Sequence, residues 1–322
     1  MSNFLHAGFP KAASSFLQQH YFTQENNFHN LLEHDSHDWR RFIQHQLLSA
    51  QSSFYQSTPP PVPTSESPGI MVGLSSEDIV CSPIDYSLVL ARWKEIFPDS
   101  RVLIISRSQP DLVFSWFVQY VRAGYFRNIG NFTSELIWDA QSSLWGALNF
   151  DRILELTRNY FHDVKLIPYE LLKYDFCSFN RELNDFFEKE IVLESVNVRP
   201  SPPDANLVLM RLLNGVWKHG LGLRLFSPQP SYNIGAVRDS VNQVRNPRIN
   251  EKSIRRRKRI RIWSHRLTVA AESLRLSGKN VARHNFGNDY EALFIEHFAE
   301  SNQALSDMIN CDLEKLGYPM KR

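Results

Sequence analysis

The chain has 322 residues, 43% apolar and 12% aromatic, enough to bury a core as one large domain or two small ones. Its formal charge is only +2, so bulk charge points to no nucleic acid and basic residues matter only where they cluster. Cys81, Cys177 and Cys311 stand far apart without metal or redox spacing, which predicts a reduced, cytoplasmic chain with no disulfide framework. No run of about 18 apolar residues exists, so no membrane span is expected. A first strand beginning near Asn3 leaves no room for a cleaved leader.

In chain order, residues 3–9 read as a buried strand and 14–22 as the opening of a helix. Residues 24–48 are polar, aromatic and His-rich, and read as helical. The stretch QSTPPPVPTSESPG (56–69) is loop by composition, a connector or a flap. IMVGLSS (70–76) is strand-like, and 83–97 carries Tyr86, Val89, Leu90 and Trp93 at helical spacing. RVLIIS (101–106) is a continuous β-branched run of the kind a parallel strand shows when both faces are covered. Helices are predicted over 109–123, over 148–161 and over 178–191 with Ser178 as N-cap, and a strand over 164–170. About the last hundred residues read as helix and loop. Strands alternating with helices predict an α/β fold, a central parallel sheet flanked by helices, with a mainly helical C-terminal part. No internal repeat is visible, and 1–322 is read as a single domain with a variable insert at 24–69.

Two loops carry the chemistry. In HAGFPKAASSFLQQ a strand turns through Lys11, Ala12 and Ala13 into a helix whose first turn holds Ser14 and Ser15. A helix start with a lysine and two hydroxyls makes an anion cradle. In a Walker loop a Ser or Thr directly follows the lysine and holds Mg²⁺. Here Ala12 follows, so the expected donor is one whose transfer needs no metal. In RVLIISRSQPDLVFSW, Arg107 ends a strand, Pro110 and Asp111 open a helix, and Ser115 lies eight residues beyond Arg107. An arginine fork and a hydroxyl at the carboxyl edge of a strand make a second anion site. Two such sites predict a nucleotide with phosphates at both ends of its ribose. A surface lysine, a capping serine and an ion-paired arginine are the plainer readings of the same residues.

GFPKAASSFLQ resembles the 5′-phosphosulfate loop of sulfotransferases, K-x-G-T-T-x-L-Q. RSQPDLVFS resembles their 3′-phosphate motif, R-x-P-x-D-x-x-x-S in loose form. VKLIPYELL (164–172) is similar to the family's strand ending in Y-E-x-L, and 298–320 to the tail of bacterial members, with S-N-x-x-L and a closing G-Y-P. The likeness is poor over 24–69 and about 220–290. It implies a P-loop-NTPase-like fold and 3′-phosphoadenosine 5′-phosphosulfate (PAPS) as the sulfuryl donor. Lys11, Ala12, Ala13, Ser14 and Ser15 would hold the phosphosulfate, and Arg107 with Ser115 the 3′-phosphate. It also implies a hydroxyl acceptor, with a carbohydrate as the class the family points to. Where the family has Gly-Thr-Thr this chain has Ala13-Ser14-Ser15, so the loop is expected to run through ordinary helical geometry, without the φ > 0 that glycine allows.

The acceptor hydroxyl needs a base. The family takes a Glu or His from the second strand region, which makes Glu77 the first choice, with Lys11 stabilising the leaving phosphate. Asp78 is adjacent to Glu77, His34 and His37 are rivals, and His6 reads as a core histidine. Glu77 also reads as an acid stabilising the next helix. KSIRRRKRIRIWSHR (252–266) is either a solvated basic face or a contact for the 3′-phosphate or an anionic saccharide. NVRPSPPDAN (197–206) reads as a connector. The competing functions are a P-loop kinase of a small metabolite and a non-catalytic nucleotide-binding protein of the same fold.

Overall fold

A computed structural model of the chain describes residues 3–32, 37–49, 54–55, 57–62, 69–77, 79–80, 85–122, 124–138, 144–194, 207–212, 214–215 and 286–321. His34, Asp78, Cys81, the 197–206 segment and the basic run at 252–266 lie outside these residues. Packing divides the chain into two compact units: residues 1–112, 139–198 and 291–322 form one, and 113–138 with 199–290 the other. Among the described residues no helix is long and apolar enough to cross a membrane.

The first unit is built on five parallel strands: β1 (Asn3–Gly8), β2 (Phe28–Asn30), β3 (Met71–Ser76), β4 (Ser100–Ser106) and β5 (Val164–Pro168). Their order across the sheet is β2-β3-β1-β4-β5. Parallel pairing requires a crossover between successive strands, and helices supply most of the crossovers. These are α1 (Ser14–His20) after β1, α2 (His37–Phe42) after β2 and α3 (Tyr86–Ile96) after β3. After β4 come α4 (Gln109–Arg122), which runs on into the second unit, α5 (Ile129–Trp138) of that unit, and α6 (Phe150–Tyr160). After β5 come α7 (Tyr169–Tyr174), α8 (Phe176–Phe187) and the long α9 (Glu291–Ile309). This is the helix-flanked α/β sheet that the alternation of elements predicts, with a helical C-terminal part. The free cysteines Cys177 and Cys311 form no disulfide.

Central strands are buried on both faces, which is why they read as unbroken apolar runs. On one face Phe4 stacks on Phe22 at 4.8 Å, and Phe28 meets Phe187 edge-on at 5.4 Å. Elsewhere in the core Phe9 meets Phe150 edge-on at 5.0 Å. Gly73 of β3 faces the main chain of Phe4 so closely that any Cβ would collide with the Phe4 carbonyl oxygen. In the second unit, the rings of Phe117, Tyr120 and Tyr125 cluster on Phe132, with centroids 4.9 to 5.7 Å from it.

Three expectations change. Residues 24–48 are not one helical segment: a 3-10 turn over Gln24–Asn26 leads into the edge strand β2, then α2 and a π-turn over Ile43–Leu47. The strand expected over 164–170 stops at Pro168, which has no N–H to extend the ladder, and Tyr169 and Glu170 open α7 instead. The N-cap of α8 is Asp175 rather than Ser178; its carboxylate accepts the Ser178 backbone N–H at 3.1 Å.

Candidate functional site

Because the strands are parallel, all five end at one edge. The register levels their ends: Ala7 pairs with Ser76, Gly8 with Ile105, and Ser106 with Pro168. The loops that follow therefore emerge side by side. From β1 the chain moves outward to β2, and from β4 it moves the other way to β5. Adjacent strands whose connections diverge leave a crevice at their carboxyl ends, where open α/β sheets hold ligands. Lys11 follows one of these two strands and Arg107 the other.

The Lys11 loop is wound tightly. Ala12 N–H donates to Phe9 O at 3.0 Å, and the Ser14 hydroxyl to the same carbonyl at 3.4 Å. Lys11 has φ 71° and Ala13 φ 63°, both left-handed. The expectation of ordinary helical geometry at Ala13 is thereby overturned. Closing a turn between a strand end and a helix start reverses the chain within a few residues, and left-handed backbone does this at a cost of about 1–3 kcal/mol for each non-glycine residue. Lys11 and Ser15 are exposed, while Ala12 and Ser14 are buried. Gly8 lies beneath: a Cβ there would strike Ser14 Oγ and approach His6 Nε2 to 3.0 Å.

Arg107 is buried, with 8% of its side chain exposed. Its Nη1 donates to the main-chain oxygen of Lys11 at 2.5 Å. Its guanidinium lies 4.5 Å from the centre of the Tyr169 ring, and Nη2 is 3.9 Å from Asp111 Oδ2. The Arg107 guanidinium and the Lys11 main chain are thus hydrogen-bonded to each other at this edge of the sheet. Ser115 belongs to the second unit, where it is buried on α4.

Glu170 had no role in the sequence reading beyond its place in Y-E-x-L. It is 3% exposed, and its Oε1 accepts the Ser108 N–H at 3.0 Å. Burial pushes its carboxyl up to about 7, against the opposing pull of that N–H and of Arg107. Tyr318, from the C-terminal tail, exchanges a 2.9 Å hydrogen bond with Ser106 Oγ. Burial, and then the neighbouring Glu170, hold its hydroxyl well above the ordinary tyrosine value.

His6 is fully buried on β1. Its Nδ1 shares a 2.8 Å hydrogen bond with Ser75 Oγ, its ring packs on Phe22, and Nε2 has no hydrogen-bond partner among the described residues. Burial pushes the imidazole down to about 3, so it is neutral near pH 7. Glu77 is the first residue past β3, half-buried, one position beyond the Ala7–Ser76 pair and on the same edge as the Lys11 loop. His37 begins α2.

No protein-family model matches the chain, and no curated protein sequence matches it. Among solved structures the chain is similar to the crystal structure of a sulfotransferase from Alicyclobacillus acidocaldarius, with a TM-score of 0.45 and 16% sequence identity, over 67% of this chain and 95% of that one.

Proposed function

We propose that the chain is a sulfotransferase that moves a sulfuryl group from PAPS to a hydroxyl of a saccharide acceptor. The observation that carries this reading is the hydrogen bond from Arg107 to the main chain of Lys11, which ties together the two loops expected to hold the anions. The residues there suit a doubly anionic nucleotide: an exposed lysine on a tight loop and a buried, fork-shaped guanidinium. The acceptor class rests on the motif likeness alone.

In the proposed reaction the acceptor oxygen attacks sulfur in line as the sulfur–oxygen bond to the 5′-phosphate breaks. Negative charge grows on that phosphate oxygen, where the Lys11 ammonium stabilises it. Glu77, on the same edge, takes the acceptor proton. Arg107 holds the 3′-phosphate and so fixes the donor against the acceptor.

Titration calorimetry with adenosine 3′,5′-bisphosphate, and ATP as control, tests the reading. The bisphosphate is expected to bind more tightly than ATP. Lys11→Ala and Arg107→Ala are each expected to weaken it by about 10- to 100-fold, the loss of one charged hydrogen bond. Unchanged affinity in both variants would place the site elsewhere. Tighter binding of ATP with Mg²⁺ would favour a kinase.

A further inference from the structure

We propose that Glu170 is a positioning residue of this anion site: it fixes the turn that presents Arg107, and its charge, when present, competes with an anionic ligand for that arginine. The inference rests on the donor reading above.

Three contacts place Glu170 in this role. Its Oε1 holds the N–H of Ser108, the residue directly after Arg107. Its chain neighbour Tyr169 lies under the Arg107 guanidinium. Ser106, directly before Arg107, is tied through its hydroxyl to Tyr318, which stands beside the Glu170 carboxyl. The turn 106–108 is therefore pinned on both sides of Arg107, once by Glu170 itself and once by a group that feels Glu170.

Among the described residues, the charged and titratable groups facing Glu170 are Arg107 beyond β4, Asp111 on α4, and Tyr318 and Cys311 from the tail. Only Arg107 is a cation. An ionised Glu170 attracts it, and a bound phosphate would need the same guanidinium. Anion binding thus favours the protonated carboxyl, and affinity should fall as Glu170 ionises. Glu170 titrates near pH 7, so the fall lies in the neutral range.

The test is calorimetric titration of the full chain with adenosine 3′,5′-bisphosphate from about pH 6 to about pH 8, for wild type and Glu170→Gln. The amide keeps an oxygen to accept the Ser108 N–H but carries no charge. The ligand's own phosphates titrate identically in both proteins and cancel in the ratio. Wild-type affinity is expected to fall by about tenfold relative to the variant across this range, roughly one unit of coupling. Parallel profiles would overturn the role of Glu170 and leave the donor reading intact. Absence of binding in both proteins at every pH would remove the donor reading and this proposal with it. Should Glu170→Gln fail to fold, wild type is titrated with inorganic sulfate, which does not change charge in this range. Falling affinity for sulfate supports the role, and constant affinity overturns it.

Discussion

The side-chain amides of Gln109 and Asn302, 193 residues apart, bond to each other in both directions, at 2.7 and 3.2 Å. Gln109 opens α4 directly behind the Arg107 turn, and Asn302 sits mid-way along α9. Gln109 also donates to Leu148 O, and Asn302 to Pro319 O next to Tyr318. Both amides are fully buried, so each partner satisfies groups that water cannot reach. Asn302→Ala is expected to cost about 2 kcal/mol, because it leaves Gln109 Oε1 without its donor and releases Pro319. Urea unfolding of Asn302→Ala, Gln109→Ala and the double variant checks this. The double variant should lose less than the sum of the singles. Strict additivity would mean the pair does not act as a unit.

Ala13 sits at φ 63°, where a Cβ is unfavourable, and no side-chain hydrogen bond caps α1 there. Ala13→Gly removes the Cβ that this backbone disfavours. It is expected to stabilise the chain by about 1 kcal/mol, the left-handed penalty less the entropy that glycine adds to the unfolded state. A raised melting temperature for Ala13→Gly, and a lowered one for Ala13→Val, are the expected results. Equal melting temperatures for all three chains would show that the loop does not hold this backbone in solution.

The same loop shows how far residue order reaches. Lys11 and Arg107 were visible because each sits in a local pattern: an apolar strand, a charged residue, then a helix start. That their loops meet follows from parallel pairing, which makes carboxyl ends neighbours whatever their separation in sequence. The backbone of Ala13 was not visible, since alanine as readily continues a helix and only the closing turn forces it over. The edge strand Phe28–Asn30 is three residues long, too short to show a period. In the sequence Glu170 stands out only as part of Y-E-x-L. What gives it chemistry is burial beside Tyr318, nearly 150 positions away, and no local pattern encodes that.

Glu77 stands at the edge where the Lys11 loop emerges, and the proposed reaction assigns it the acceptor's proton. Glu77→Gln keeps its size and removes the base. Turnover is expected to fall by about 10²–10⁴-fold, with affinity for adenosine 3′,5′-bisphosphate changed little. Single-turnover transfer assays paired with calorimetry separate the two quantities. Full turnover in Glu77→Gln would move the base to another residue, and a parallel loss of affinity would make Glu77 part of the donor cradle instead.

His6 and Glu170 push stability in opposite directions over one pH window. His6 titrates at about 3 in the folded chain, against an ordinary value of 6.5. Between these pH values the unfolded chain holds the extra proton, so His6 makes stability fall as pH drops below 6.5. Glu170 titrates at about 7, against an ordinary 4.5. There the folded chain holds the extra proton, so its contribution is full below 4.5 and is lost as pH rises toward 7. Each slope is about 1.4 kcal/mol per pH unit. From 4.5 to 6.5 the two cancel. Relative to wild type, Glu170→Gln should therefore gain stability with rising pH across that window, and His6→Gln should lose it. Urea unfolding at about pH 5, pH 5.5 and pH 6 reads both slopes. Equal slopes in all three chains would show that neither group is desolvated as the fold requires. A changed slope in only one variant would assign the burial to that residue alone.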